Sequence, residues 1–182
     1  MTIGRHECKN ARDTRLKEAI FISLDEALTA LEESFYDLTD EQVWSFPAAG
    51  KNNIAWIVMH CLDNLDEYLN GAQTGERLFP TEWRWDLWQC KPEERPKPGD
   101  PFPTAQEMLE RLRKIRDAGM ATLEHMDESA MTDRLGSHPH KTLRSDWYMR
   151  TLYHTNSHVR QIWLLRGALG LVNGPWPEQH WA

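Results

Sequence analysis

The sequence predicts an all-α protein, a four-helix bundle with a long loop between the second and third long helices. Apolar residues recur at helical spacing in four long segments, and no segment alternates convincingly as a strand. A chain of 182 residues suits one domain, so residues 1–182 are expected to form a single bundle domain. Hydrophobic residues make up 40 % of the chain, enough for a core without disulfides.

The first helix is predicted from roughly Thr14 to Asp37. Its apolar stripe consists of Leu16, Ile20, Leu24, Ala27, Leu31 and Phe35. Thr39 and Gln42 have the spacing of a capping box, which predicts a short helical turn directly after this helix.

The second long helix is expected to begin at Asn52 or Asn53, both good N-cap residues, and to run to about Asn70. Gly71 is the predicted stop, because glycine commonly follows the last helical residue. The connection 71–103 that follows is rich in tryptophan and proline, and a loop this long in a compact domain is usually functional or packed as a lid.

The third long helix is predicted to start with a capping box of Thr104 and Glu107 and to end near Met126. A polar connection leads to the fourth, from about Leu143 to Leu169. Four amphipathic helices without strands favour a bundle, and the long second connection allows a crossover.

His154 and His158 form the clearest chemical signal, an i, i+4 pair inside the fourth helix. Residues so spaced share a helix face, so two imidazoles can converge on one ion. At the helical period they project into the predicted core sector with Trp147, Thr151, Gln161, Ile162, Leu165 and Ala168. A metal ion would satisfy one ring nitrogen of each, although side chains and water could also satisfy a buried pair.

His60 is the natural third ligand; it lies in the middle of the second helix at the edge of its apolar stripe, where a lone histidine is more often a flank residue, and it gains weight only together with the pair on the fourth helix. Asn64 and Glu67 share this flank and could border a pocket. Arg116 projects into the apolar stripe of the third helix, where an unpaired guanidinium does not stay buried. It could reach the surface, form an ion pair or bind an anionic substrate group.

Composition argues against several classes of partner. The net charge of −7 lacks the basic character of a nucleic-acid binder, and no apolar run reaches transmembrane length. Three distant cysteines, Cys8, Cys61 and Cys90, and a polar N-terminus fit a reducing cytoplasm better than secretion. A small-molecule substrate is the expected partner. Met149, Leu152 and Trp163 give the fourth helix a second apolar sector, which either the tryptophan-rich connection or a second copy of the chain could cover.

Trp83 and Trp88 lie in the long connection and could shape the rim of the pocket. Tryptophan offers an apolar face with one hydrogen-bond donor, which suits such a rim. A subunit contact or a cap over the end of the bundle is the alternative.

Two stretches together resemble the DinB-like superfamily of metal-binding four-helix bundles. The first runs from L-T-D-E-Q-V-W through G-K-N-N-I-A-W-I-V-M-H and ends on His60. The second is H-T-N-S-H-V-R-Q-I-W-L-L-R-G-A-L-G, with His154 and His158. The resemblance covers nearly the whole chain and implies three histidine ligands, open metal positions and often a homodimer.

Three functions follow as hypotheses. Related proteins use such a site to activate a low-molecular-weight thiol, which implies a thiol S-transferase-like enzyme with zinc or nickel, the ions that imidazole-rich sites favour. A metal-dependent hydrolase would activate water instead. A non-enzymatic, metal-binding dimeric bundle is the third hypothesis.

Overall fold

Four long helices dominate the computed structural model, which describes residues 15–47, 52–83, 102–138 and 141–171. The helices in chain order are α1 (Leu16–Glu33), α2 (Asp40–Trp44), α3 (Ile54–Asp66), α4 (Ala72–Thr74), α5 (Ala105–His125) and α6 (Arg144–Ala168). The long ones, α1, α3, α5 and α6, confirm the predicted all-α fold. None of the helices in these described ranges is long and apolar enough to cross a membrane.

The long helices form a ring in the order α1, α6, α3, α5. The principal contacts are those of α1 with α6, α6 with α3, α3 with α5 and α5 with α1. The first two long helices therefore occupy opposite corners, and each packs mainly on the last two. The core between them is built from leucine, isoleucine and methionine side chains that include Leu24, Leu28, Leu31, Met59, Leu62, Leu112 and Ile115.

The predicted helix starts agree with the observed caps. Thr39 and Gln42 form a reciprocal capping box at α2, and Thr104 and Glu107 form another at α5. The side chain of Asn53 accepts a hydrogen bond of 2.8 Å from the backbone N–H of Trp56, which caps α3. The local sequence is therefore sufficient to define where these helices begin.

The predicted stop at Gly71 is wrong. After α3 the chain makes a π-helical turn, Glu67–Gly71, continues as α4 and ends at Gly75, whose φ of 82° is left-handed. Gly71 itself has helical angles, and a Cβ placed there would lie 3.1 Å from Cγ of Arg77. Its missing side chain makes room for the arginine that folds back on the helix, so it does not end the helix.

The end of α1 and the connection before α6 also differ from prediction. The helix α1 ends at Glu33 and is followed by a turn over 34–37. The polar connection before α6 contains a 3₁₀ turn, Glu128–Thr132, and a short antiparallel hairpin of β1 (Arg134–His138) and β2 (Lys141–Leu143). A two-stranded hairpin this short carries too few alternating residues for its sequence to reveal it.

The buried face of α6 is displaced from the predicted sector. It consists of Ser145, Tyr148, Thr151, His154, Thr155, Val159, Ile162 and Arg166. Gln161 and Ala168, predicted to face inward, are exposed. Because the histidine pair lies at the edge of the buried face, a sector centred on that pair points partly into solvent.

Candidate metal centre

Three imidazoles meet where α3 packs against α6. Nε2 of His60 lies 3.0 Å from Nε2 of His154, and Nε2 of His158 lies 3.2 Å from the same atom. In the part of the chain that the structure describes, this is the one group of three His, Cys, Asp or Glu side chains whose ligand atoms all lie within 4.8 Å of one another. The helical pair and the separate histidine therefore converge on a common point through equivalent atoms.

The spacing of these nitrogens fits a shared metal ion. Imidazole nitrogens bind Zn²⁺ at about 2.0–2.1 Å, which puts two ligand atoms roughly 2.9 Å apart in octahedral and roughly 3.3 Å apart in tetrahedral coordination. The observed separations of 3.0 and 3.2 Å fall in this interval. Among the described residues three protein ligands meet here, and an ion held by three ligands would keep positions open for a small molecule.

Burial keeps the imidazoles of His60 and His158 in the form that a metal needs. Desolvation lowers the pKa of His60 to about 4, with a smaller contribution from the nearby His158 and an opposing one from Asp63. Desolvation likewise lowers the pKa of His158. Near neutral pH these two rings are uncharged, and a neutral imidazole has a nitrogen lone pair to donate.

Aromatic side chains hold the rings in place. Trp56 stacks on His60 with the planes 5° apart and the centroids 5.4 Å apart. Tyr68 meets His154 edge-on at 6.3 Å and packs at 5.5 Å against Trp147. The sequence interpretation overlooked Trp56, although its position one helical turn before His60 is the spacing at which two rings on one helix face each other.

Two amides lie close to the histidines. Asn64 donates a hydrogen bond of 2.9 Å to the backbone carbonyl of His60, and its Nδ2 lies 3.3 and 3.5 Å from the two ring nitrogens. Oε1 of Gln161 lies 2.7 Å from Nδ1 of His158. The structure therefore brings both predicted pocket amides to the histidine cluster.

Glu67 belongs to a different cluster. Its Oε2 lies 3.6 Å from Nη1 of Arg77, whose guanidinium also contacts the buried carboxylates of Asp63 and Asp66. Asp66 in turn accepts hydrogen bonds of 2.7 Å from the backbone N–H groups of Leu78 and Phe79. These contacts fold the segment after α4 back onto α3, which gives Glu67 an ion-pair partner away from the imidazoles.

Arg116 also lies apart from the histidines. Its Nη2 donates to Oδ1 of Asp25 at 2.6 Å and to Oγ1 of Thr29 at 3.0 Å, and its Nη1 lies 3.7 Å from Glu32. All three partners are on α1, whereas the histidines are on α3 and α6. The guanidinium pairs with carboxylates and borders an open groove between α1 and α5.

The tryptophans of the long connection are only partly described. Trp83 packs edge-on against Phe79 with centroids 5.7 Å apart, and the guanidinium of Arg111 lies 5.8 Å from its ring. Trp88 falls outside the described residues. The contacts of Trp83 join the connection to α5.

The comparisons with known proteins agree with this architecture. The sequence model of the DinB superfamily matches residues 23–162, a span that includes all three histidines. A conserved protein from Enterococcus faecalis has a similar crystal structure, with a TM-score of 0.69 and 17 % sequence identity over 86 % of this chain and 99 % of that one. A comparison with curated proteins found no match. The chain belongs to the DinB superfamily.

Proposed function

We propose that the protein binds one divalent metal ion through His60, His154 and His158, and that it uses the ion to transfer a low-molecular-weight thiol to an electrophilic small molecule. The observation that carries the proposal is the convergence of the three Nε2 atoms, with separations of 3.0 and 3.2 Å. Zinc and nickel are the ions we expect, since imidazole ligands favour late first-row metals.

The donor set supports activation of a thiol. Three neutral imidazoles leave a bound ion its full charge, and such an ion lowers the pKa of a coordinated thiol or water. The residues of this chain would hold the ion, fix the planes of the rings and provide aromatic surface from Trp56 and Tyr68 beside them. In the transfer the thiol proton goes to solvent, a carbon–sulfur bond forms, and the leaving group departs with its bonding electrons.

The thiol would have to come from a separate molecule. Cys61 follows His60 directly, but its side chain is fully buried and burial raises the pKa of the thiol. A buried neutral thiol is a poor nucleophile. The proposal therefore requires a soluble thiol cofactor, and the cytoplasm, where thiols are kept reduced, is the compartment that suits it.

There are two alternatives to this function. One is hydrolysis with water as the nucleophile, and the other is a bundle that binds metal without catalysis. Hydrolysis usually employs a general base beside the metal. No carboxylate belongs to the described histidine group, and the carboxylate of Glu67 pairs with Arg77. The lack of a carboxylate base in the described histidine group favours a thiol as the nucleophile, because a bound ion can lower the pKa of a thiol enough to form the thiolate without a base.

The experiment is a turnover screen of zinc-loaded and nickel-loaded protein against alkyl and aryl halides and against esters, each with and without low-molecular-weight thiols. We expect thiol-dependent consumption of the halides that disappears in His154→Ala. His125→Ala is the matched control, because His125 is exposed on α5 and hydrogen-bonds within its own helix.

The outcomes separate the three functions. Cleavage of esters without any thiol would replace the proposal with a hydrolase. If neither reaction occurs while metal raises the unfolding temperature of the wild type, the protein is a non-enzymatic metal-binding bundle. Thiol-dependent turnover that survives in His154→Ala would place the chemistry elsewhere.

A further inference from the structure

The side chain of Gln161 places a hydrogen-bond acceptor against one ring nitrogen of His158. Nδ1 of the histidine lies 2.7 Å from Oε1 of the glutamine, which is exposed on the same helix less than one turn later. An amide oxygen can only accept a hydrogen bond, so the proton must be on Nδ1. The lone pair is then on Nε2, the atom that lies 3.2 Å from His154.

The other amide near the cluster cannot act in this way. Nδ2 of Asn64 is a donor, and it lies at similar distances, 3.3 and 3.5 Å, from both ring nitrogens of His60. A donor does not hold a proton on the ring nitrogen that it faces. The stacked Trp56 fixes the plane of His60, but stacking does not select a tautomer.

We propose that Gln161 is a positioning residue, which holds His158 in the Nδ1–H tautomer with Nε2 directed at the shared metal position. The inference rests on the proposed function for the identity of the ligand, and it assigns to Gln161 a role beyond lining a pocket. His158 is more exposed than the buried His154, so its ring needs this restraint more. Loss of an outer partner that fixes the tautomer and orientation of a ligating histidine typically weakens metal binding 10- to 100-fold.

The first test measures zinc dissociation constants by competition with a chromophoric chelator. We expect Gln161→Leu to bind zinc about 10- to 100-fold more weakly than the wild type. Gln161→Glu should keep wild-type affinity or exceed it, because a carboxylate also accepts the Nδ1 proton. Gln106→Leu is the matched control, since Gln106 is an exposed helical glutamine on α5 that hydrogen-bonds Glu110 one turn later.

Wild-type affinity in Gln161→Leu would overturn the inference. Equal weakening in Gln161→Leu and Gln161→Glu would also overturn it, because the acceptor would then not be the feature that matters. Thermal unfolding of each metal-free variant shows whether a weaker affinity comes from a damaged fold, and Gln161 is exposed enough for both substitutions to leave the fold intact.

A second test needs no metal. Long-range proton–nitrogen NMR spectra of the metal-free protein, recorded at mildly alkaline pH where imidazole is neutral, distinguish the two tautomers of His158. The wild type and Gln161→Glu should show protonated Nδ1, and Gln161→Leu a mixture. A mixture already in the wild type would refute the role of Gln161. This readout stands even if the wild type binds no metal, a result that would refute the proposed function alone.

Discussion

Nε2 of His60 lies 3.0 Å from Nε2 of His154, although the two residues are 94 positions apart in the chain. This approach depends on the packing of α3 against α6, the two helices that carry the histidine cluster. His158 joins them because it lies one turn after His154 on the same helix. The fold thus places the cluster on regular, packed elements rather than on a loop.

Removal of the metal should leave the helices intact. The histidines lie at the edge of a core of buried aliphatic side chains that does not depend on them. A ligand present at a thousand times its dissociation constant stabilises a fold by about 4 kcal/mol. We therefore expect chelated protein to unfold at a lower temperature and to keep a helical circular dichroism spectrum. A random-coil spectrum after gentle chelation would show that the metal is required for folding.

The ion pair of Arg166 and Asp37 should make stability depend on pH. Arg166 is 2 % exposed and makes two hydrogen bonds of 2.6 and 2.9 Å to the carboxylate of Asp37. This hydrogen bonding lowers the pKa of Asp37 below its ordinary value, against the opposing effect of burial. The ion pair therefore stabilises the fold fully at pH values above about 3.9, the pKa of an aspartate in the unfolded chain. This stabilisation is lost as the pH falls through the lower pKa that Asp37 has in the folded protein.

Asp37→Asn should consequently lower the free energy of unfolding at neutral pH by about 3 kcal/mol, because it leaves a buried guanidinium without its charged partner. The difference from the wild type should shrink below about pH 4. Urea unfolding at several pH values measures both effects. Asp133→Asn is the control, because Asp133 is 57 % exposed and lies 3.6 Å from its partner Arg144. A deficit that is constant down to pH 2 would contradict this account of the pair.

Gly119 and Gly167 should respond in opposite directions to alanine. A Cβ at Gly119 would lie 2.7 Å from Cβ of Leu69, where α5 packs on the π-helical turn, whereas a Cβ at Gly167 would meet nothing within 4 Å. Gly119→Ala should destabilise the protein by roughly 1–3 kcal/mol through overpacking. Gly167→Ala should stabilise it by up to about 1 kcal/mol, because alanine favours the helix. Denaturant unfolding gives the free energy of unfolding of both variants. Equal changes in the two variants would contradict the close packing at Gly119.

We expect the protein to be a homodimer that pairs through the outer face of α6. Met149, Tyr153 and Leu164 are 48, 70 and 73 % exposed there, while the predicted Leu152 and Trp163 pack against the core. Light scattering should give a dimer mass at micromolar concentration. Tyr153→Asp with Leu164→Asp should give a monomer, because the charges would be desolvated in the interface. Tyr36→Asp, at another exposed aromatic residue, should remain dimeric; a monomeric wild type would refute the expectation.

The periodicity of the sequence was sufficient to predict the four long helices, because each buries one apolar face. The spacing of His154 and His158 indicated their common face, but the addition of His60 needed either the family resemblance or the packing of α3 on α6. No local signal shows how two helices separated along the chain will pack.

Features that depend on tertiary contacts were not predictable. The role of Gly71 depends on Arg77, whose guanidinium pairs with Asp63 and Asp66. Arg166 is nearly fully buried, yet a charged residue in a helical pattern suggests an outward position, and its partner Asp37 is 129 residues away. The roles of Gly71 and Arg166 can be recognised only from the tertiary structure.

The metal content of untagged protein tests the central claim most directly. Elemental analysis of the wild type should give about one zinc or nickel ion per chain, since three converging imidazoles define one site. His125→Ala should retain that content, and the double variant His154→Ala, His158→Ala should lose nearly all of it. Full metal occupancy in the double variant would contradict the assignment of the three histidines as the metal centre.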